Sequence, residues 1–144
     1  MLAEEYFNLY KKCVEMESIQ FTLEDFMRFN HSKNINILRG KNSLAVLGLT
    51  DCEVEIYFIG VTGRLRGKGL GKQLLKNIIS FSKDYGAKAM VLEVGVNNIP
   101  AKNMYLSFNF KKYGIRKNYY KNGSDIRQDA IIMKLNLETQ PSLL

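Results

Sequence analysis

The stretch Val61-Thr62-Gly63-Arg64-Leu65-Arg66-Gly67-Lys68-Gly69-Leu70-Gly71 limits what this chain can fold into more than any other part of it. Residues 52–61 lead into it as a β-strand. After it, Leu70, Leu74, Leu75, Ile78 and Ile79 recur at helical spacing as far as Tyr85-Gly86, where glycine suits a helix C-terminus. A strand therefore feeds a glycine loop that opens a helix. Glycines at such a point let several backbone N–H groups converge on one anion at the positive end of the helix dipole, unobstructed by Cβ atoms. Phosphate is the usual guest.

The elements around the loop predict a mixed α/β fold. Residues 2–17 place Leu2, Tyr6, Leu9, Tyr10 and Val14 on one helical face. Thr22 then caps a second helix that runs to about Phe29, with Asp25 at its third position and Phe21 stapled onto Phe26. From Asn34 the period changes: residues 34–39, 43–49 and 52–61 are strands separated by Gly40-Lys41-Asn42 and Thr50-Asp51, an antiparallel meander. Beyond the helix that follows the loop, residues 89–96 form a buried-type strand. Asn98-Ile99-Pro100 opens a further helix whose inner face carries Ala101, Met104, Tyr105 and Phe108. Residues 110–120 and 126–137 flank Asn122-Gly123 as a hairpin. The order is ααβββαβαββ, with the strand before the loop parallel to the strand after the crossover helix and the rest of the twisted sheet antiparallel. At 144 residues this is one domain over residues 1–137, followed by a frayed tail at 138–144.

Charge sorts along the chain. The balance of 21 basic and 14 acidic residues leaves +7, but residues 1–60 carry 6 basic and 9 acidic side chains, whereas residues 61–144 carry 15 and 5. A polyanionic ligand is expected at the C-terminal part. Cys13 and Cys52 make no disulfide framework and read as core fillers. His31 is the only histidine, so a zinc site or a Ser–His or Cys–His relay lacks its parts; no metal is expected, and His31 reads as a structural or surface residue. The acidic start Met1-Leu2-Ala3-Glu4-Glu5 and the lack of an apolar run of about eighteen residues predict a cytoplasmic protein outside the membrane.

Spacing separates three kinds of phosphate loop. The nucleoside-triphosphate loop needs four residues between its first glycine and Gly-Lys, and Gly63 to Gly67 encloses three. The dinucleotide fingerprint begins at Gly67 and Gly69, but Lys72 stands where its third glycine belongs, and its all-parallel fold does not fit the meander. Arg66-Gly67-Lys68-Gly69-Leu70-Gly71 matches the pattern Q/R-x-x-G-x-G/A. On that match and on its order of elements, the chain resembles the GNAT superfamily of acetyl-coenzyme A dependent N-acetyltransferases. Over residues 55–135 the resemblance sharpens. Leu92-Glu93-Val94, Asn98, Ala101, Tyr105, Arg116-Lys117-Asn118-Tyr119-Tyr120 and Asp129-Ala130-Ile131-Ile132-Met133 are similar to the RimI type, the ribosomal-protein-alanine N-acetyltransferases. Residues 1–50 match little else of that pattern.

The resemblance implies acetyl-CoA as cofactor and a protein N-terminus, plausibly ribosomal, as acceptor. It assigns the coenzyme pyrophosphate to Arg66, Gly67, Lys68, Gly69, Leu70, Gly71 and Lys72. The pantetheine arm falls to Asn98 and to the main chain of Ile59 and Val61, the latter as in strand addition. Glu93 is implied as general base and Tyr105 as the acid that protonates the departing thiolate, while Tyr119 and Tyr120 border the hairpin where the incoming peptide is gripped, and one of the two faces it, because adjacent strand residues point to opposite faces. A carboxylate suffices for an α-amine of pKa about 8, and a phenol of pKa about 10 is a fitting donor to a thiolate. An ion-paired structural carboxylate remains the plain reading of Glu93, and a core aromatic that of Tyr105. Acetylation of a lysine, polyamine or other small amine, and a non-enzymatic acyl-CoA-binding module, are the competing functions. The basic half as an RNA face is a further one, without an RNA motif to carry it; no specific nucleic acid is expected.

Overall fold

Local signals decide where the elements start and stop. In the computed structural model the described residues are 2–14, 19–63, 67–121 and 127–138, with the side chains of 119–121 and 127 excepted. The first helix, α1 (Ala3–Cys13), buries Ala3, Tyr10 and Cys13. It is shorter than the expected 2–17, although residues 15–18 lie outside the described residues. Leu2, expected on its inner face, is 65% exposed, because it sits at the N-cap in extended conformation where helical periodicity does not yet apply. The second helix, α2 (Leu23–His31), begins on the expected capping box: Thr22 accepts from the Asp25 N–H, and the Asp25 carboxylate accepts from the Thr22 N–H. Phe21 meets Phe26 edge to face at 6.1 Å, as a staple should. His31 is exposed on the last turn of α2.

The strands are β1 (Ile35–Gly40), β2 (Ser43–Leu49), β3 (Glu53–Val61), β4 (Ala89–Gly95), β5 (Lys111–Lys121) and β6 (Arg127–Asn136). The remaining helices are α3 (Leu70–Tyr85) and α4 (Ile99–Ser107), so the element order is the expected one. Among the described residues the sheet runs β1-β2-β3-β4-β6-β5, with β3 and β4 parallel across α3 and every other neighbouring pair antiparallel. Gly86 ends α3 at φ 91°, and Asn109 follows α4 at φ 71°, the left-handed conformation that an asparagine tolerates.

The sheet separates two apolar clusters. One is largely aliphatic and joins Val54, Ile56, Met90, Leu92 and Met133 to Leu74, Leu75 and Ile78 of α3 and Tyr105 of α4. The other, under α1 and α2, is aromatic: Tyr10 lies 4.9 Å from Phe58 and 5.4 Å from Phe26. Cys13 is buried as expected, whereas Cys52 is exposed. Cys52 sits in the turn between β2 and β3, where the Thr50 hydroxyl accepts the Cys52 and Glu53 N–H groups and holds the chain at the surface. No helix among the described residues is long and apolar enough to cross a membrane.

Candidate functional site

The sheet opens between its two parallel strands. The β3–β4 ladder runs from Glu53↔Ala89 to Ile56↔Leu92, and the residues beyond diverge. The cause lies in β3: Val46 pairs with Phe58 and Leu47 with Ile56, so Tyr57 is an extra residue without an opposite partner. Such a bulge bends and twists its strand. Here β3 keeps β2, and β4 keeps β6 as far as Gly95↔Ala130, so the two central strands part as a wedge. A cleft of about 300 Å³ occupies it. Tyr10, Val14, Gln20, Tyr57 and Phe58 line it on the α1–α2 face, and Ile59, Ala101 and Tyr105 on the face of α3 and α4; Glu93, Asn98 and Gln128 lie along its β4–β6 edge.

The glycine loop stands beside this opening. Gly67 and Gly69 have φ of 80° and 83°, and Gly69 is the N-cap of α3. A Cβ at either would meet nothing within 4 Å, so glycine is required there by backbone conformation rather than by crowding. Gly71 lies against Val61 and Met104, which brings the start of α3 next to the end of β3 and to α4. Lys68 and Lys72 are exposed there, with Leu70 between them in half-buried surroundings. Of the residues expected to hold a diphosphate, Arg66 falls outside the described residues, and the others cluster at this helix start.

Asn98 performs the expected cap: its Oδ1 accepts from the Ala101 N–H at 3.3 Å, and Pro100 occupies the first turn of α4. Tyr105 is 5% exposed, packs 5.6 Å from Phe110 and reaches the cleft, so it belongs both to the core and to the opening. Glu93 is half-buried on β4, and Arg116 Nη1 donates to both its carboxylate oxygens at 3.3 and 3.5 Å. The ion pair that a plain reading of Glu93 called for therefore exists, and its carboxylate partner lines the cleft.

The backbone around Tyr119 and Tyr120 is not a regular strand. Arg116 pairs with Ala130 and Tyr120 with Gln128, so three residues of β5 stand opposite Asp129 alone. Asn118 takes φ 55°, and its N–H donates to the Asp129 carboxylate at 2.9 Å. The Asn-Tyr-Tyr and Asp-Ala segments of the sequence thus meet in one bulge. The side chains of Tyr119 and Tyr120 lie outside the described residues.

Sequence reasoning missed Tyr57, Gln128 and the role of Arg116. Gln128 reaches the cleft because it crosses Gly95 closely, with its Oε1 accepting from the Asn97 N–H at 3.2 Å. A lone bulge residue, and a glycine separated from Gln128 in sequence by a helix and a strand, leave no periodic signal. Among the described residues no group of three metal-ligating side chains occurs.

Residues 3–110 match the acetyltransferase (GNAT) family. The chain belongs to that family. Within GNAT proteins, a ribosomal protein bS18-alanine N-acetyltransferase of Escherichia coli K12 is 37% identical over 83 residues, covering 58% of this chain and 55% of the relative. An N-alpha-acetyltransferase RimI of Mycobacterium tuberculosis is 30% identical over 139 residues, 83% of this chain and 86% of the relative. The chain thus spans about half the length of the Escherichia coli relative in that match, and most of the mycobacterial one. The crystal structure of the Escherichia coli ribosomal-protein-S18-alanine N-acetyltransferase superposes with a TM-score of 0.81 at 26% identity, covering 99% of this chain and 92% of that one.

Proposed function

We propose that this protein transfers the acetyl group of acetyl-CoA to the N-terminal α-amine of a protein, by direct attack within a ternary complex. The observation that carries this reading is a cleft between the diverging β3 and β4 that residues of both sheet faces line, with Glu93 at its edge and Tyr105 on the side of α4. Two reactants can approach from opposite faces and meet without a covalent enzyme intermediate. The relatives named for bS18-alanine and N-alpha-acetylation support an N-terminal acceptor and, more narrowly, a ribosomal one.

The residues present fit a coenzyme A diphosphate. Left-handed Gly67 and Gly69 at the N-terminus of a sixteen-residue helix turn N–H groups outward at the positive end of its dipole, beside Lys68 and Lys72. The thioester supplies an activated acetyl group. Ile59 and Val61 lie on the stretch of β3 beyond its last pairing with β4 and would hold the pantetheine amides by their main chain, and Asn98 at the cleft edge would hold the arm. Glu93, aimed by Arg116, accepts a proton from the acceptor ammonium directly or through water. Tyr105, in the cleft lining, would donate its phenolic proton to the leaving thiolate. We assign the acceptor backbone to one of the adjacent Tyr119 and Tyr120, on the bulge that Asp129 supports. We place the reaction in the cytoplasm, and residues 1–137 act as one unit.

Mass spectrometry of short peptides incubated with acetyl-CoA tests the reading. Acetyl on free α-amines is expected; acetyl only on lysine or on added polyamine moves the protein to another acceptor class. Glu93→Gln should lower kcat by about 10²-fold or more while coenzyme affinity holds, and Tyr105→Phe should do so with packing retained. Coenzyme binding without transfer to any amine would replace the enzyme with a binding module.

A further inference from the structure

Leading away from the reacting centre, one row of side chains on the α1–α2 face of the sheet is incompletely neutralised. Glu53 and Glu55 of β3 and Glu93 of β4 point to that face, since Val54, Ile56, Leu92 and Val94 alternate with them into the aliphatic core. Glu53 is paired with Lys134 at 3.4 Å and Glu93 with Arg116 at 3.3 Å. Glu55, between them, has no basic partner among the described residues. Burial, reinforced by the charges of Glu93 and Glu53, pushes its carboxyl above the usual glutamate range.

Beside Glu55 lies Tyr57, the bulge residue, 45% exposed and part of the cleft lining. Its ring lies across Gly48, where any Cβ would come within 2.4 Å of the Tyr57 oxygen, and Gly48 is the residue opposite Glu55. Gly48 therefore lets an aromatic ring lie flat on the sheet next to the unpaired carboxylate. The same face already shows what such a pair holds. Lys134 Nζ sits 3.4 Å from Glu53 and 4.9 Å from the centroid of Tyr113, a cation between a carboxylate and a ring face. Glu55 and Tyr57 likewise set a carboxylate and an aromatic ring on one face, with Tyr57 in the cleft lining and no basic partner for Glu55 among the described residues.

We propose that Glu55 and Tyr57 form a subsite for a lysine or arginine side chain of the acceptor polypeptide. The proposal rests on the N-terminal transfer reading, because it takes the acceptor amine to lie at Glu93. Glu55 is one strand over and two residues along from Glu93, about 8 Å by strand spacing and rise. An extended peptide advances about 3.4 Å per residue, so the basic residue falls at the second to fourth position of the acceptor. The subsite selects by charge and by the flat face of Tyr57, and leaves the chemistry to the groups already described.

Four fluorescent peptides with a free α-amine, identical except for lysine, arginine, norleucine or glutamate at the third position, test this. Affinity is measured by anisotropy with coenzyme A present, and kcat/KM separately with acetyl-CoA. The wild-type protein is expected to bind the lysine and arginine peptides at least tenfold more tightly than the norleucine peptide. Glu55→Gln should bring lysine and norleucine within about twofold, with turnover of the norleucine peptide unchanged, and Glu55→Lys should turn the preference toward the glutamate peptide. Equal wild-type affinities for lysine and norleucine, a preference that survives Glu55→Gln, or no binding of any peptide would overturn the subsite. Charge-selective binding with no transfer would uphold it and overturn the transfer reading instead.

Discussion

On the α3–α4 side of the cleft, Gly67, Gly69 and Asn98 act through their own backbone or through a residue three positions away. On the α1–α2 side nothing is so local. Tyr10 of α1 touches Phe58 of β3 and Phe26 of α2, and its hydroxyl accepts the Gln20 and Phe21 N–H groups at 2.8 and 3.3 Å. Under the proposed transfer reading, the donor side is a short motif mounted on a helix end, and the acceptor side is a packed aromatic assembly drawn from three elements. A motif of the first kind tolerates change elsewhere in the chain. An assembly of the second kind changes with any of its members, which suits a wall that must differ from one acceptor to another.

Breaking the assembly should have the largest effect on stability. Phe26→Ala removes a ring that is fully buried between Tyr10, Phe7, Phe21 and Phe29, and is expected to cost about 3–5 kcal/mol in urea unfolding. Acceptor KM should rise in the folded fraction while coenzyme affinity stays near that of the wild type. Gly69→Ala reverses the pattern. It forces an alanine to φ 83°, at about 1–2 kcal/mol, and should weaken coenzyme A binding in calorimetry with little change in acceptor KM. Equal effects of both substitutions on both ligands would mean that the two sides are not separately built.

The smallest effect is one of pH, and its sign differs between two carboxylates. Asp25 is held below the usual range chiefly by the Thr22 N–H it accepts, so its contribution to stability is present above that range and lost as pH falls through the lowered value. Glu55 is held above the usual range, so the folded state binds the extra proton and stability falls as pH rises through that window. Both side chains are close to solvent, which keeps the changes modest. Urea midpoints followed from acidic to neutral pH should flatten at the upper end in Glu55→Gln and at the lower end in Asp25→Asn.

Much of this architecture was legible in the residues because its signals are short-ranged. Thr22 with Asp25, Asn98 with Pro100, Tyr85-Gly86 and the glycines from 67 to 71 each mark a boundary within a few positions, and the structure puts helix ends at all of them. Periodicity was less informative where an element began in extended backbone, as at Leu2, and residue type was less informative where a turn held a small apolar residue outward, as at Cys52. Glu93 and Tyr105 stood out through family resemblance, but that Arg116 holds Glu93 could not be read, since the two lie on strands separated by β6.

By itself the sequence determined the order of elements, the glycine loop that opens α3 and the caps of α2 and α4, because dihedral preference and capping hydrogen bonds act between near neighbours. Only the tertiary structure decided where the sheet opens. One extra residue at Tyr57 shifts the β2–β3 register, and Gly48 beneath its ring lets the side chain lie across the sheet. Neither residue carries that meaning until the strand on which the other lies is beside it, since register is a property of paired strands and not of either strand alone.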